Sequence, residues 1–396
     1  MEAARRLDVD LTVASEHDSA FSLSQPERLL TLDFSDPVRA ANQVRLFAAE
    51  HPVAAVFGID DDTVVIAAHA SAVLGLKHNS IIASKSAGDK HRQRVLLWEK
   101  NVPVPRFRLV ELDSHPAEIA RQVGFPCVVK PTHLAASRGV IRANDADEFG
   151  EVFRCVKSIA AQAESHARNW TTPGILVEDY IPGKEVALEG WVEQGELQVL
   201  ALFDKPDPLE GPYFPETIYV TPSRLSASLQ TDLANCAQNA VTALRLETGP
   251  VHVELRHNGS GPWVIELAAR PIGGKCGQVL RFGADGSIIL EQLVLGKTLG
   301  QFESTPSREQ QAVAVMMMPV PQAGTLTHVT GIEAARAVPH VNDVIITVYQ
   351  GQELVPLPDD SKYAGFIFAR GETPEEAERA VREANELIVF QISSGR

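Results

Sequence analysis

The sequence predicts a multidomain protein that combines an α/β region with α+β regions. Helix and strand signals alternate over residues 1–83, which is typical of a parallel sheet covered on both faces. Strand signals dominate the middle of the chain, and the last part combines three strands with one amphipathic helix. Because 396 residues can fill two or three separate cores, we predict three domains, at residues 1–83, 84–305 and 306–396.

The first predicted domain is a partial doubly wound α/β unit. Its predicted order is helix, strand, helix, strand, helix, at residues 1–7, 10–15, 36–51, 53–59 and 63–76. Asp36 and Pro37 are start signals for the middle helix. A doubly wound unit normally begins with a strand, whereas this chain begins within a helix. Either the first strand is missing, or the natural start lies upstream of Met1.

The second predicted domain contains most of the polar motifs. A helix that includes Lys90 is predicted to stop at Asn101 and Pro103. After it we predict a strand at 126–131, a loop at 132–140, a helix from about 145, strands within 175–204, a Pro-rich irregular segment at 205–223, a helix at 224–246 and a hairpin at 250–275. A long irregular segment inside a domain is usually functional or mobile.

The third predicted domain is a small α+β unit. Strands are predicted at residues 311–320, 343–351 and 363–371. The first of these contains three consecutive methionines, which predict a buried strand. An amphipathic helix is predicted from Thr373, its capping residue, to Ile392.

The composition excludes several classes of function. The formal net charge of −15 argues against nucleic-acid binding, which needs a clustered basic surface. Four scattered cysteines without a CxxC pair predict reduced thiols in a cytoplasmic protein. No apolar run approaches the ~20 residues of a membrane span, and the amino terminus lacks the apolar core of a signal peptide. A homodimer is the expected oligomer on general grounds alone.

Two glutamates stand on the predicted hairpin strands. If the turn takes residues 258–262, His257 pairs with Trp263. Glu254 then lies opposite Glu266 on one face, whereas a two-residue turn places them on opposite faces. Carboxylates ~4–5 Å apart repel by roughly 4 kcal/mol at an effective dielectric of 20, so a proton or a cation must offset them. Oxygen ligands favour Mg²⁺ or Mn²⁺ over zinc; two unrelated acids on a solvated face are the alternative.

The same register places His252 opposite Ala268, with Arg270 just beyond. One face of the hairpin would then combine a metal site with a side chain able to hold a carboxylate or a phosphate. This combination predicts phosphate chemistry.

Two lysines and a small loop supply candidate phosphate contacts. Lys130 ends the apolar strand PCVVK, so its amine can project toward a bound phosphate, and Lys90 lies near a helix start. The loop at 135–140, AASRGV, could cover phosphates with its backbone N–H groups. It is not a Walker A loop, and no GxGxxG follows a strand. Each lysine alone also fits a solvated surface, but their order before the acidic hairpin favours a phosphate site.

The chain resembles the ATP-grasp superfamily in the order and spacing of several motifs: GDK, FPCVVKP followed by SRGV, ILVEDYIPGKE, and VHVEL followed by VIELAARPIGG. Within that superfamily it resembles the L-amino acid ligases, which join two amino acids through an acyl phosphate. The resemblance covers nearly the whole chain, and the part after residue 308 is similar to their small C-terminal domain. It implies ATP with Mg²⁺ or Mn²⁺, and small carboxylate and amine substrates.

The resemblance also implies roles for individual residues. On the nucleotide side, it implies phosphate contacts from Lys90 and Lys130 and a covering loop with Ser137 and Gly139. It implies an adenine hinge at Glu178, Tyr180 and Ile181. Glu185 would bind the ribose. On the metal and substrate side, it implies that Glu254 and Glu266 are Mg²⁺ ligands and that Arg270 holds the substrate carboxylate. The residues around the substrate would be Glu216, Tyr219, His252, Gly273 and Gly274, together with Arg270. Arg270 and Lys130 would be catalytic.

Two positions depart from the pattern of that family. Tyr219 stands where the ligases have a histidine, so substrate preference does not carry over. Ala268 stands where most ATP-grasp enzymes have an asparagine ligand, and we expect His252, or a water that it orients, to fill that space. Two alternatives to a carboxylate–amine ligase stay open, which are an ATP-grasp carboxylase of the purine pathway and a non-catalytic nucleotide-binding relative. The P-R-P-H continuation of such carboxylases is absent after Glu266.

Overall fold

The computed structural model of the protein describes residues 1–16, 29–164 and 170–393. Among these described residues, the N-terminal region contains α1 (Glu2–Arg6), β1 (Val13–Ser15), β2 (Leu29–Thr31), α2 (Pro37–Glu50), α3 (Asp61–Leu74) and α4 (Ile81–Ala87). Strands β1 and β2 pair in parallel, which is the predicted type of pairing, although a strand at β2 was not predicted. The Asp36 side chain caps α2 by accepting from Val38 and Arg39 N–H groups, which confirms that start signal.

The strand predicted at residues 53–59 is wrong, because this described segment is irregular. Val56 packs against a cluster that includes Val44 and Ile66 from the two neighbouring helices. Phe57 and Ile59 are exposed, so burial accounts for only part of the apolar run.

A four-stranded antiparallel sheet follows in the order β3–β6–β4–β5. Its region contains α5 (Lys90–Glu99), β3 (Phe107–Val110), α6 (Pro116–Ala120), β4 (Cys127–Pro131), β5 (Ile141–Ala143), α7 (Ala146–Glu164) and β6 (Ile175–Asp179). Helix α7 covers one face through Phe149, Phe153 and Val156, all of which are buried. Lys90 begins α5, after the capping Asp89, and Lys130 lies near the end of β4, as predicted.

An eight-stranded sheet forms the larger part of the molecule, in the order β11–β10–β7–β8–β9–β14–β18–β16. Its first part contains β7 (Lys184–Glu193), β8 (Glu196–Asp204), β9 (Ile218–Thr221), α8 (Ala227–Leu244), β10 (Thr248–Asn258) and β11 (Gly261–Ala268). Helix α8 packs on one face, and the other face is covered by β12 (Arg281–Phe282), β13 (Ile288–Ile289) and α9 (Leu290–Thr298). Strand β9 lies within the segment predicted to be irregular, which corrects the prediction for those four residues.

The remaining elements are β14 (Ala312–Pro319), β15 (Gly324–Thr330), α10 (Ile332–Arg336), β16 (Val341–Ile346), β17 (Glu353–Leu354), β18 (Tyr363–Gly371), α11 (Pro374–Leu387) and β19 (Val389–Ser393). The methionine-rich strand is buried as predicted. Because β9 pairs with β14, one sheet crosses the predicted boundary at 305/306, and the three-domain division stays a prediction.

The predicted C-terminal helix is too long. It begins with the expected Thr373–Glu376 capping box but ends at Leu387. Residues 389–393 form β19 instead, which pairs with β15. Their side chains alternate between exposed and half-buried positions, and this period of two fits a strand rather than a helix.

The β10–β11 hairpin has the predicted register at its functional end and a different turn. His252 pairs with Ala268 and Glu254 pairs with Glu266. At the turn, Asn258 pairs with Gly261, so the predicted five-residue turn is wrong. The register shifts between Glu254 and Leu255, where a β-bulge inserts one extra residue in β11. The bulge restores the alignment that the two-residue turn alone would remove.

Within residues 1–16, 29–164 and 170–393, none of the helices combines the length and the apolar character that a membrane crossing requires.

Candidate active site

A cavity of about 350 Å³ lies between the four-stranded and the eight-stranded sheets. Every predicted site residue except Gly139 lines it. The N-terminal region contributes residues 59–61, and the C-terminal region contributes Met317 and Tyr363. The fold therefore brings together side chains that are widely separated in the sequence, although the individual roles of these residues stay predictions.

A fully buried ion-paired cluster surrounds Glu178. Arg94 Nε lies 2.5 Å from Glu178 Oε1, and Lys130 Nζ lies 2.6 Å from Oε2. Arg94 Nη2 also donates to the carbonyl of Ile265 at 2.5 Å, which links α5 to the hairpin. Burial alone would raise the pKa of Glu178, but the charges of Arg94 and Lys130 outweigh it and hold the pKa below its ordinary value. Sequence analysis assigned Glu178 to the adenine hinge and missed this cluster.

The two hairpin glutamates, in contrast, are open to the cavity. The side chains of Glu254 and Glu266 are 23% and 27% exposed. Lys90 Nζ lies 2.8 Å from Glu266 Oε1 and donates to the carbonyl of Leu134 at 2.7 Å. Two open carboxylates on opposed residues fit Mg²⁺ or Mn²⁺, because these hard cations take oxygen ligands and complete their shells with water or phosphate oxygens. The donor set therefore fits the metal that the resemblance implied.

Another buried cation, Lys205, lies among three glutamates. Its Nζ lies 2.5 Å from Glu185, 2.8 Å from Glu216 and 3.8 Å from Glu254. Carboxylate oxygens of these three residues lie within 4.8 Å of one another, a spacing that could also hold a metal ion. The ammonium group of Lys205 already offsets their charge. The open glutamate pair therefore fits the implied metal better than this trio does.

Two of the carboxylates around Lys205, those of Glu216 and Glu254, differ in proton affinity. Burial raises the pKa of Glu216 to about 7, although Lys205 opposes the shift. Glu216 also accepts a hydrogen bond from the Tyr219 hydroxyl. Glu185 has both oxygens engaged, since Arg256 Nε lies 2.7 Å from its second oxygen. Burial alone would raise the pKa of Glu254, but Lys205 and His252 hold it well below its ordinary value.

His252 lies between two carboxylates. Its Nδ1 lies 3.4 Å from Glu189 Oε2, and its Nε2 lies 3.6 Å from Glu254 Oε1. Burial alone would lower the pKa of His252, but the two carboxylates raise it to about 9. The ring is therefore an imidazolium at neutral pH. It faces Ala268 across the strand pair, as predicted, but whether it fills the space of the absent asparagine stays a prediction.

The covering loop follows β4 and contacts the C-terminal region. Ala136, Ser137 and Gly139 all have positive φ values, of 53°, 58° and 70°. A Cβ at Gly139 would lie 3.0 Å from the Pro131 side chain, so glycine fits both the conformation and the space. The N–H group of Gly139 donates to the carbonyl of Pro358 at 3.1 Å. The loop is thus attached beside the cavity rather than free of it.

The predicted adenine hinge is held by arginines. The carbonyl of Ile181 accepts from Arg256 Nη1 at 2.8 Å. The Tyr180 ring lies below the guanidinium of Arg142, whose Cζ is 4.2 Å from the ring centroid, with Arg256 Cζ at 5.1 Å. These cation–π contacts place an aromatic ring and two positive charges at one end of the cavity.

The segment that carries Glu216 is fastened at several points. Arg142 contacts this segment twice. Its backbone N–H group donates to the carbonyl of Pro212 at 2.9 Å, and its Nη1 donates to the carbonyl of Glu210 at 2.6 Å. Arg382 Nη2 lies 2.6 Å from the Asp207 carboxylate. The Pro-rich segment therefore connects the four-stranded sheet with the C-terminal helix.

Arg270 follows the hairpin and contacts the N-terminal region. Its guanidinium forms a bidentate pair with Asp61, at 3.0 and 3.2 Å. Gly273 and Gly274 lie beside it in the wall of the cavity. Gly274 has a φ of 57°, and a Cβ there would lie 2.4 Å from the Met317 sulfur, so a larger residue would be strained and would have to displace the Met317 side chain.

Several polar residues at this site were not identified from the sequence. Asp61 and Arg256 line the cavity, whereas Arg94, Glu189 and Lys205 pair with residues that line it. One of them had a usable signal. Lys205 directly follows strand β8, just as Lys130 lies near the end of β4. A lysine at the end of a strand was the signal that identified Lys130, and it would have identified Lys205 as well. The others depend on contacts between distant segments, for which no local pattern exists.

Comparison with known proteins places this geometry in a family. Residues 1–78 match the ATP-grasp N-terminal domain, residues 123–279 match the ATP-grasp domain, and residues 316–393 match the L-amino acid ligase C-terminal domain 2. The chain belongs to the ATP-grasp superfamily. Within it, the chain is similar to the L-amino acid ligase from Bacillus licheniformis, with a TM-score of 0.83 and 27% identity over 99% of this chain and 95% of that one.

Two curated relatives extend the comparison. Alanine–anticapsin ligase from Bacillus subtilis is 29% identical over a match that covers 62% of this chain and 56% of that protein. The protein y4rH of Sinorhizobium fredii is 27% identical over 77% of this chain and 61% of its own length. The chain thus spans only about three fifths of the length of these relatives.

Proposed function

We propose that the protein is an ATP-dependent ligase that forms an amide bond between the carboxylate of one amino acid and the amine of another, and releases ADP and phosphate. The observation that carries this proposal is one cavity that combines two open carboxylates, Glu254 and Glu266, with Lys90, Lys130 and Arg270. The similarity to an L-amino acid ligase and an alanine–anticapsin ligase supports it.

The proposed reaction has two steps. The substrate carboxylate attacks the γ-phosphorus of ATP, so that an acyl phosphate forms and ADP leaves. The amine then attacks the acyl carbon and phosphate leaves, with loss of one amine proton. A divalent cation held by Glu254 and Glu266 would offset the charge of the ATP phosphates. Both steps depend on positioning and electrostatic stabilisation rather than on a nucleophilic side chain.

The chain's own residues have distinct parts in this scheme. Lys90 and Lys130 line the cavity and would offset phosphate charge. Arg270 would hold the reacting carboxylate and then the acyl phosphate, because a guanidinium can bind either through paired N–H groups. Glu216 is suited to take the amine proton, since a pKa of about 7 allows exchange near neutral pH.

A product screen tests this proposal. The protein is incubated with ATP, Mg²⁺ and the twenty proteinogenic L-amino acids, and ADP release and product masses are measured. We expect ADP release that depends on amino acids, together with a mass equal to two amino acids minus water. Glu254→Gln is the matched control, and we expect it to form no product. A carboxylated product, or ATP binding without any turnover, would contradict the proposal.

A further inference from the structure

The guanidinium of Arg270 is held by a residue from another part of the fold. Arg270 Nε lies 3.0 Å from Asp61 Oδ1, and Nη2 lies 3.2 Å from Oδ2. This is a bidentate contact on the side of the guanidinium, the geometry that makes arginine–carboxylate pairs specific. Asp61 is the first residue of α3, 209 positions away in the sequence. Both residues line the cavity.

The contact with Asp61 leaves the end of the guanidinium available. An arginine side chain has five N–H donors. Asp61 accepts from one on Nε and one on Nη2, and the carbonyl of Pro271 accepts one from Nη1 at 3.2 Å. Two donors, one on each terminal nitrogen, have no acceptor among the described residues. A second carboxylate can therefore bind there while Asp61 keeps its place.

The backbone on the C-terminal side of Arg270 is fixed, but its side chain depends on Asp61. Pro271 restricts the chain, and the N–H group of Ile272 donates to both oxygens of the buried Glu189 at 3.1 Å. A free arginine side chain loses up to about 2 kcal/mol of conformational entropy when it is immobilised. Because Asp61 already orients the guanidinium, substrate binding would not have to offset this loss of conformational entropy.

We propose that Asp61 is a positioning residue for the reaction proposed above, and that its carboxylate holds the guanidinium of Arg270 so that the free end faces the substrate carboxylate and the acyl phosphate. The inference rests on the proposed function. It gives the N-terminal region a direct part in the site, although that region lies outside the two sheets that form most of the cavity.

Kinetics of matched variants test the inference. We expect Asp61→Asn to lower the apparent kcat for ADP release, measured with the twenty-amino-acid mixture, by about 100-fold, since misplacement of a reacting group by about 1 Å has an effect of that size. The KM for ATP should keep its wild-type value, and Asp61→Glu should recover part of the loss. The control is Asp33→Asn, which removes another aspartate–arginine pair of the N-terminal region, outside the cavity, and should leave the kinetics unchanged.

Two kinetic outcomes would overturn the inference. If Asp61 only occupies the place of a substrate that must displace it, Asp61→Asn will lower the KM for the amino-acid mixture and leave kcat unchanged. If Asp61 has only a structural role, the variant will lose thermal stability without any change in kcat or KM.

A spectroscopic measurement is independent of turnover. The Nε–H resonance of Arg270, assigned by its loss in Arg270→Lys, is recorded in protein labelled with ¹⁵N-arginine and free of ATP and amino acids. We expect slow exchange with solvent in the wild type and fast exchange in Asp61→Asn. If the wild type releases no ADP in the screen, the proposed function fails, and this resonance alone then decides whether Asp61 orients Arg270. An unchanged resonance in Asp61→Asn would refute the inference.

Discussion

Three glutamates that line the same cavity differ in how their charges are satisfied. Glu178 is 4% exposed, and both of its oxygens are paired, with Arg94 at 2.5 Å and Lys130 at 2.6 Å. Glu254 and Glu266 are 23% and 27% exposed and face the cavity. The same residue type therefore stands in a closed cluster on one side and in an open pair on the other.

The difference separates structural from ligand-binding carboxylates. A buried charge that loses its partner cannot be rehydrated, so the cluster around Glu178 must persist to keep α5, the four-stranded sheet and the hairpin together. An open carboxylate can exchange a lysine or water for a metal ion at little cost. Loss of the closed cluster should therefore reduce stability, and loss of the open pair should reduce activity.

The largest expected effect on stability is that of Glu178→Gln. Removing one partner from a buried ion-paired cluster should lower the free energy of unfolding by about 3–5 kcal/mol, because Arg94 and Lys130 stay buried without their counter-charge. Urea unfolding measures this loss. The control is Asp179→Asn at the next position, whose partner Arg106 is 76% exposed, and it should change stability by less than about 1 kcal/mol. Equal losses in the two variants would contradict the distinction between closed and open charges.

For Lys205→Met we expect a smaller decrease in the free energy of unfolding, about 2 kcal/mol near pH 7, because buried carboxylates lose a charged hydrogen-bond donor. The loss should be greater at pH 8 than at pH 6. Without Lys205, the pKa of Glu216 rises further above its present value of about 7, so the folded variant holds a proton that the unfolded chain releases. Urea unfolding at the two pH values measures the difference. A loss of stability that is the same at both pH values would mean that Lys205 does not influence the pKa of Glu216.

The last expected effect is a pH dependence of stability due to His252. Its pKa is raised to about 9 in the folded protein, so the stabilisation is complete below the ordinary value near 6.5 and is lost as pH rises through about 9. We expect the free energy of unfolding to decrease over this range, measured without metal. His252→Gln should flatten this part of the profile. A profile that keeps its slope in this variant would show that other groups cause it.

Sequence analysis predicted the parts of the site that depend on local pattern. The strand ends, the capped helix that begins at Lys90 and the alignment of Glu254 with Glu266 are all present. The alignment was predicted with the wrong turn, because the two-residue turn and the β-bulge cancel each other in the register. Such a bulge depends on how the strand packs, and no residue type in the hairpin marks it.

Contacts between distant segments could not be predicted. Asp61 begins a helix by ordinary capping rules, and nothing near it in the sequence indicates a partner at Arg270. Arg94 likewise lies on a helix where a charged residue is usually solvated, yet it is 1% exposed. In both cases the tertiary fold decides which charge is buried and against what.

The most direct test of the account compares Glu266→Gln with the wild type in two measurements on one preparation: ADP release that depends on amino acids, with ATP and Mg²⁺, and the free energy of unfolding in urea. We expect that ADP release is lost, while the free energy of unfolding stays within about 1 kcal/mol of the wild type, because Glu266 is partly exposed. Full activity in the variant, or a loss of stability as large as that of Glu178→Gln, would contradict the account.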